Sequence, residues 1–333
     1  MDIEKSIADA AREFAISLSA KTGVVADIRP LVHATNGMRL SNLDMIERHL
    51  RWEFERNLVV PTTSRWQFRK PKERILTWVD ICSGSGRTRE KALRTISGSA
   101  PNSFFFAMVF RRLNDWVPEV RKAATEIIPR MVRETDPDIV SEVLCAILPH
   151  WRSWGRAKDS EFEILDDVLK VKEISSALKS KMLEATTGPM SQIFAQVARS
   201  GVFDQDLQDF SNDATQPALR ALSYRCQLSG KLTWFTGRKW VCTDKVYNEG
   251  RYVAVTEERE LISNYNFIDV IQLAVLDRSS IVRRVAAEYL IREYRSIGEI
   301  GLTLAKLLAK DSSSSVAESG SFVLKKLTEQ VSS

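Results

Sequence analysis

The stretch that decides the fold is Asp115-Trp-Val-Pro-Glu-Val-Arg-Lys-Ala-Ala-Thr-Glu-Ile-Ile128. It recurs without a gap as Asp277-Arg-Ser-Ser-Ile-Val-Arg-Arg-Val-Ala-Ala-Glu-Tyr-Leu290. In both stretches the aspartate precedes an arginine by six positions, a small residue follows the arginine by three, and an aliphatic residue follows it by seven. Apolar residues at such intervals share one face of a helix. The recurrence therefore predicts a chain built from repeated helical units.

Weaker copies of this frame extend the repeat. Ser83 and Arg89 keep it with serine in place of aspartate, and Asp311 keeps it without the arginine. Asp213 and Arg220 fit only with a one-residue slip, so the register in the middle of the chain stays open. The copies that start at Ser83 and Asp115 lie 32 residues apart, and those that start at Asp277 and Asp311 lie 34 apart. Each interval accommodates two helices and two short loops.

Each position of the frame has a physical interpretation. An aspartate suits a helix N-cap, because its side chain accepts hydrogen bonds from unpaired backbone N–H groups. The small residue lets a neighbouring helix approach closely. The arginine can reach the aspartate of an adjacent repeat. We therefore expect Asp115, Arg121, Asp277 and Arg283 to be structural residues that join one repeat to the next.

The two best copies resemble the second helix of HEAT repeats, in which an aspartate is followed by Val-Arg and then by small residues. The resemblance implies an all-α protein, a HEAT-like α-solenoid of antiparallel helix pairs. An irregular helical domain with chance matches is the alternative. Helical spacing also predicts helices from Asp2 to about Ser19 and from Ser41 to about Leu58, with Ser41 and Asp44 as a capping box. Both would cover the end of the repeat array.

One segment breaks the helical pattern. Lys231–Phe235 and Arg238–Thr243 are predicted to be short strands around a tight turn at Thr236-Gly237, and Arg251–Thr256 a third strand. We therefore expect a small β-hairpin or meander insertion, and such insertions often lie on the binding face of a repeat protein. The predicted domains are an N-terminal helical cap (1–62), HEAT-like repeats (63–228), a β-meander insertion (229–257) and C-terminal HEAT-like repeats (258–333).

Three clusters interleave basic and aromatic residues: Arg65–Arg74, Trp151–Lys158 and the predicted hairpin. Basic side chains can neutralise phosphates, and tryptophan offers a flat face to a base or an anchor for a protein pocket. In the alternative view the aromatic rings fill gaps between helices while the basic groups extend to water. The predicted partner-binding residues are Trp151, Arg152, Trp154, Arg156, Lys158, Lys231, Trp234, Arg238, Lys239 and Trp240.

Catalytic machinery is hard to assemble from this sequence. The three histidines, His33, His49 and His150, lie far apart, and none has the spacing of a metal site. The Ser83–Arg87 loop is rich in glycine but lacks the ending of a phosphate-binding P-loop, so a helix-initiating turn is expected there. We predict no enzyme activity, no cofactor and no metal.

Composition and charge suggest where the protein acts. The four cysteines are scattered without paired spacing, which is typical of reduced thiols, and the N-terminus lacks the apolar core of a signal peptide. No stretch approaches the length of a membrane span. A cytoplasmic protein without membrane contact is expected. The net charge of +5 favours acidic partners or nucleic acid only mildly.

The sequence therefore predicts a non-enzymatic scaffold that binds a macromolecular partner through its irregular centre and basic-aromatic insertion. HEAT-like arrays most often bind proteins, so the partner is expected to be a protein, such as a toxin or effector that the chain neutralises or a subunit of a larger complex. The alternative is nucleic-acid binding, similar to the alkylpurine DNA glycosylases, which would give Asp115 and Trp116 a role at a lesion. A third reading is an enzyme-assisting role like that of lyase subunits with HEAT-like repeats. The oligomeric state is left open.

Overall fold

The computed structural model describes residues 3–19, 26–58, 75–244, 247 and 249–331. The basic-aromatic cluster at 65–74 lies outside these residues. The chain is mostly helical, as predicted, with a small two-stranded antiparallel sheet. It divides into two compact units, Met1–Leu178 and Lys179–Ser333. The predicted domain boundaries stay predictions.

The first unit consists of helices joined by short loops and 3-10 turns. Its helices are α1 (Ile3–Ser19), α2 (Arg29–Thr35), α3 (Leu43–Asn57), α4 (Gly86–Thr95), α5 (Ser103–Arg111), α6 (Pro118–Glu134), α7 (Pro137–Ile147) and α8 (Asp159–Lys170). The helices α4, α6 and α8 pack side by side in one layer, and α5 packs against α7 in another. Each therefore contacts the helix two positions along the chain, which is the order expected for stacked helical repeats.

The second unit begins within α9 (Lys172–Glu184) and contains the sheet. Its elements are α10 (Met190–Val197), α11 (Leu207–Asp213), α12 (Pro217–Ser229), β1 (Lys231–Asp244), β2 (Glu249–Glu260), α13 (Phe267–Val275), α14 (Ser280–Glu293), α15 (Glu299–Leu308) and α16 (Ser314–Val331). The helices α12, α14 and α16 pack in one layer, and α13 packs against α15 in another.

Helix α5 forms the centre of the first unit. Its sequence Ser-Phe-Phe-Phe-Ala-Met-Val-Phe is apolar on all sides, and every residue from Ser103 to Phe110 is buried. A helix of this composition is stable only when other elements surround it. The helix ends at Arg111, followed by Arg112, so two guanidinium groups emerge where the buried helix stops. Cations are favoured at this end by the partial negative charge of the last carbonyls.

A recurring arginine joins neighbouring helical segments within each unit. Its guanidinium donates two hydrogen bonds of 2.5–2.9 Å to one carboxylate in the pairs Arg89–Asp115, Arg220–Asp277 and Arg283–Asp311. The remaining nitrogen, Nη1, donates to the carbonyl six residues earlier in its own repeat, at Ser83, Ala214 and Asp277. These contacts involve Asp115, Asp277 and Arg283, three of the four residues that the sequence predicts to be structural. We call each such pair a rung.

Arg121 makes a looser version of the same contact. Its Nη1 donates to the carbonyl of Asp115, six residues earlier, at 2.9 Å. Its Nε lies 3.5 Å from a carboxylate oxygen of Glu161, which replaces the aspartate of the other rungs. Because Glu161 also accepts the backbone N–H of Lys158 at 2.9 Å, its carboxylate both pairs with Arg121 and caps α8.

The predicted N-cap role of the repeat aspartates is wrong. The N-caps are Val117 for α6 and Ser279 for α14, two residues beyond the aspartates. Asp115 and Asp277 accept the backbone N–H groups of those N-cap residues at 3.0 and 2.7 Å. The aspartates thus order the loop before each helix while their carboxylates bind the arginine of the neighbouring repeat.

The one-residue slip at Asp213 is seen in the structure, because Arg220 bonds to the carbonyl of Ala214, six residues earlier. Another sequence prediction is corrected. The capping box at Ser41 is absent, because α3 begins one residue after Asn42, whose side chain makes no capping hydrogen bond. Asp44 instead binds Arg111.

The sheet is a hairpin inserted between two helices of the repeat. Arg220 and Asp277 lie 57 residues apart in sequence, whereas Arg283 and Asp311 lie 28 apart, yet both form the same bidentate pair. The excess is about the length of the hairpin, which runs from Lys231 to Glu260. The insertion therefore leaves the rung that encloses it intact.

The hairpin has two strands, so the predicted three-stranded meander is wrong. The expected turn at Thr236-Gly237 is a register shift within one continuous strand, between Phe235 and Gly237. Such a bulge adds a residue to one strand and increases its twist without reversing the chain. The predicted strand at Arg251–Thr256 is part of β2, the direct partner of β1.

We expect Asp311→Asn to lower the free energy of unfolding at neutral pH by about 2–4 kcal/mol, because it leaves Arg283 without a counter-charge in a largely buried pair. The hydrogen bond from Arg283 is the main cause that holds the pKa of Asp311 below its usual value. That stabilisation is present above the ordinary carboxyl pKa and is lost as the pH falls through the lowered one. The difference between the proteins should therefore shrink near pH ~3.

Urea unfolding at several pH values measures this effect. Glu288→Gln is the matched control, because the Arg225–Glu288 pair has the same chemistry but is about two-fifths exposed. Such a pair contributes about 0–1 kcal/mol. Equal losses in the two variants would contradict the structural role of the rung.

Candidate functional sites

Trp151 is buried, so its predicted role in partner binding is wrong. Its side chain has no exposed surface and packs edge-on against Phe162 of α8, with ring centroids 5.2 Å apart. The guanidinium of Arg152 covers the tryptophan ring at 4.4 Å. Here the alternative view of the sequence holds: the aromatic ring fills the interior and the basic group extends over it.

Trp154 and Arg156 line an open cleft in the first unit, which we call the Trp116 cleft. The backbone N–H of Arg156 donates to the side-chain oxygen of Asn114 at 3.0 Å, which holds this loop against the cleft. The cleft has a volume of about 470 Å³ and is lined by Asp44, Glu47, Arg51, Arg89, Arg111, Arg112, Asn114, Asp115, Trp116, Trp154 and Arg156. Lys158, also predicted to bind a partner, is exposed at the start of α8 and does not line the cleft.

The floor of the cleft is a buried network of ion pairs built on the first rung. Asp115 accepts two hydrogen bonds from Arg89 and a third from Arg112 at 3.1 Å. Arg112 also donates to Glu47 of α3 at 2.5 Å. Arg111 donates to Glu47 at 3.2 Å and pairs with Asp44. Three arginines therefore face three carboxylates, and their charges balance.

This network occupies the carboxylate of Asp115. Burial on its own would raise the pKa of Asp115, but the hydrogen bonds from Arg89 and from the backbone of Val117 outweigh it and hold the pKa below its usual value. The group is therefore an ionised structural acceptor whose oxygens are already bonded. The arrangement gives no support to the lesion-site role of Asp115.

Two further arginines give the cleft its net positive charge. Among the described residues, the guanidinium groups of Arg51 and Arg156 have no ion-pair or hydrogen-bond partner. Glu55 follows Arg51 by one helical turn on α3. Its carboxylate accepts hydrogen bonds from the hydroxyl of Ser83 and the backbone N–H of Gly84, at 3.0 and 2.9 Å. Trp116 stands beside these charges with 67 % of its surface exposed.

The base of the hairpin is fastened to the second unit. Arg259 of β2 donates to both carboxylate oxygens of Asp204, at 2.8 and 2.5 Å, and Asp204 is itself buried. Asp204 also accepts the backbone N–H of Ile262 at 2.8 Å. Leu232 is buried, and the ring of Trp234 lies under the guanidinium of Arg199 at 5.2 Å. Trp234 thus belongs to the anchored base.

The outer part of the hairpin exposes apolar side chains on both faces. Trp240 and Tyr252 are cross-strand partners in edge-to-face contact, with ring centroids 5.1 Å apart. Phe235 pairs with Thr256, which is four residues from Tyr252 and therefore on the same face. This aromatic face carries exposed Phe235, Trp240 and Tyr252. The opposite face carries Val241, Val253 and Val255, each about two-fifths exposed.

The basic residues predicted in the hairpin divide between its base and its outer part. Lys231 pairs with Glu258 at 2.7 Å near the base. Arg238 and Lys239 are exposed in the outer part, and their positions two and one residues before Trp240 place them on opposite faces.

The sequence predictions missed Tyr252 and Arg51 as surface groups. The alternation of Tyr-Val-Ala-Val in β2 could have indicated the two faces of the hairpin. The four-residue spacing of Glu47 and Arg51 could have indicated that both lie on one side of α3.

Comparisons with protein-family models, with proteins of known function and with solved structures find no match to this chain. None of the described helices combines the length and the apolar character needed to cross a membrane. The described residues also contain no group of three or more His, Cys, Asp or Glu side chains that could hold a metal ion. The cytoplasmic location stays a prediction.

We expect Trp151→Ala to destabilise the protein much more than Trp154→Ala, because Trp151 is buried and Trp154 is partly exposed. Removal of the buried Trp151 ring should lower the free energy of unfolding by about 3–5 kcal/mol, because it leaves a cavity beside Phe162. Removal of the partly exposed Trp154 ring should cost no more than about 1 kcal/mol. Urea unfolding of the two variants measures both values, and a larger loss for Trp154→Ala would contradict the placement of these rings.

Proposed function

We propose that the chain is a HEAT-like α-solenoid scaffold without catalytic activity that holds a protein partner on the outer part of the β1–β2 hairpin. The arginine rungs and the two-layer packing of helices within each unit support the repeat architecture. The observation that carries the binding role is the exposure of apolar residues on both faces of the hairpin.

Physical chemistry favours a partner for this element. An isolated two-stranded hairpin is marginally stable in water, and sheets normally bury at least one apolar face. Here the aromatic face with Trp240 and the aliphatic face with Val253 both stand in solvent beyond the anchored base. Aromatic residues clustered in this way are characteristic of binding hot spots.

The charged residues of the hairpin indicate what kind of partner surface would fit it. Arg238 lies on the aromatic face, and Lys239 lies on the aliphatic face. Arg251 is the cross-strand partner of Val241 and shares the aliphatic face. A protein surface with an apolar centre and carboxylates at its rim would match this pattern, because apolar contacts supply affinity and the charges orient the encounter.

The test begins with the partner recovered from cells that naturally contain the chain, after nuclease treatment, and continues with its purified form. Binding is measured by calorimetry for the wild type and for the triple variant Phe235→Ser, Trp240→Ser, Tyr252→Ser. We expect the triple variant to bind at least about 100-fold more weakly, because hot-spot residues each contribute about 2 kcal/mol or more. Its thermal unfolding should shift little, because the three side chains are largely exposed and the Trp240–Tyr252 contact contributes only about 1 kcal/mol.

The matched control is Leu273→Ser with Leu276→Ser, which removes exposed apolar surface from the end of α13 instead. This control should bind like the wild type. The complex should also persist at about 0.5 M salt, where exposed charge pairs are strongly screened. Undiminished binding by the triple variant, or a complex that dissolves on nuclease treatment, would overturn the proposal.

A further inference from the structure

We propose that the Trp116 cleft of the first unit binds a nucleotide, either free or as part of a single strand, with its phosphate on Arg51 and Arg156 and its base on Trp116. This inference goes beyond the proposed function, because it concerns a different unit of the chain and a different class of ligand.

The first step of the argument is charge. Every carboxylate that lines the cleft is already paired: Asp44 with Arg111, Glu47 with Arg111 and Arg112, and Asp115 with Arg89 and Arg112. The five lining arginines therefore exceed the three carboxylates by two. The surplus lies on Arg51 and Arg156, whose guanidinium groups no described residue satisfies.

The second step is the position of these two arginines. Arg51 follows Glu47 by one helical turn on α3, so both face the cleft. Glu55, one turn further, accepts hydrogen bonds from the Ser83–Gly84 loop, and among the described residues it forms no ion pair with Arg51. Arg156 is held by the bond from its backbone to Asn114. Guanidinium groups that line one cleft suit the oxygens of a phosphate.

The third step is aromatic. Trp116 is two-thirds exposed in a cleft that carries net positive charge, and the guanidinium of Arg89 lies 5.9 Å from its ring on the interior side. Trp154 lines the same cleft. A carboxylate peptide would satisfy the arginines but leave these rings in water. A nucleotide satisfies both, because every base has a flat face that stacks on an aromatic ring. The volume of about 470 Å³ falls in the range of small-ligand sites.

The experiment uses the full chain and two probes. A fluorescent oligothymidine of about ten nucleotides is titrated by anisotropy, and AMP competes with it, between about 50 and about 200 mM salt. If the natural ligand is a nucleotide within a single strand, the oligonucleotide binds more tightly than AMP. Arg51→Met and Arg156→Met should then each reduce the slope of log affinity against log salt by about 0.7. If the natural ligand is a free nucleotide, AMP binds as tightly as the oligonucleotide, and both arginine variants weaken the binding of AMP.

Trp116 provides a second readout. We expect Trp116→Ala to weaken binding of the tighter probe by roughly 5-fold to 100-fold, the range for loss of one stacked base, and Trp116→Phe to restore most of it. Arg130→Met is the matched control, because it removes an exposed arginine of α6 that does not line the cleft. The triple variant of the hairpin should bind both probes like the wild type, which keeps this test separate from that of the protein partner.

Three results would overturn the inference. Neither probe binds at the lowest salt concentration, or binding survives Trp116→Ala combined with Arg51→Met and Arg156→Met, or polyglutamate displaces the probes as effectively as AMP does. The last result would identify the cleft as a site for acidic peptide.

Discussion

The structure depends on one interaction, the arginine that joins two neighbouring repeats. In each bidentate rung the guanidinium donates two hydrogen bonds to the carboxylate of the following segment. It donates a third to the backbone carbonyl six residues before the arginine. Arginine suits this position better than lysine, because its planar fork fixes distance and angle together. A pair such as Arg220 and Asp277, almost removed from water, forms only when both helices are in register. The rung therefore sets the alignment of the helices as well as contributing to their stability.

This constraint explains where the two candidate binding surfaces can form. The rung between α12 and α14 tolerates the intervening hairpin, because the contact depends on the ends of the insertion and not on its length. The outer part of the hairpin is therefore not needed for the contact between α12 and α14. In the first unit the Arg89–Asp115 rung neutralises the floor of the Trp116 cleft. The charge of that cleft is then determined by the residues above the floor, Arg51 and Arg156.

The recurring arginine contact was predictable from sequence because its spacing is local. The arginine at a fixed distance from an aspartate, and its contact with the adjacent repeat, follow from helical geometry and from the reach of the side chain. The exact role of the aspartate was not predictable. An aspartate at the N-cap and one in the loop two residues before it lie at nearly the same distance in sequence from the helix. Arg220 fits the frame only with a one-residue slip, because its contact six residues earlier is the backbone carbonyl of Ala214. A backbone carbonyl is present in every residue, so the sequence does not mark this position.

The sites were harder to predict because exposure depends on contacts between distant segments. Trp151 and Trp154 are three residues apart with similar neighbours, yet one fills the interior and the other lines a cleft. Arg51 is on the cleft only because α3 packs near the loops that precede α4 and α6. In the hairpin, the bulge at Thr236-Gly237 resembles a turn in sequence, since glycine is common in both.

A double-mutant cycle on Arg220 and Asp277 tests the central claim most directly. The free energies of unfolding of Arg220→Met, Asp277→Leu and the double variant are compared with that of the wild type. If the rung is the contact that holds the two repeats in register, each single variant should lose about 3–5 kcal/mol, and the double variant should lose far less than their sum, with a coupling of at least about 2 kcal/mol. Additive losses, with coupling near zero, would contradict the account.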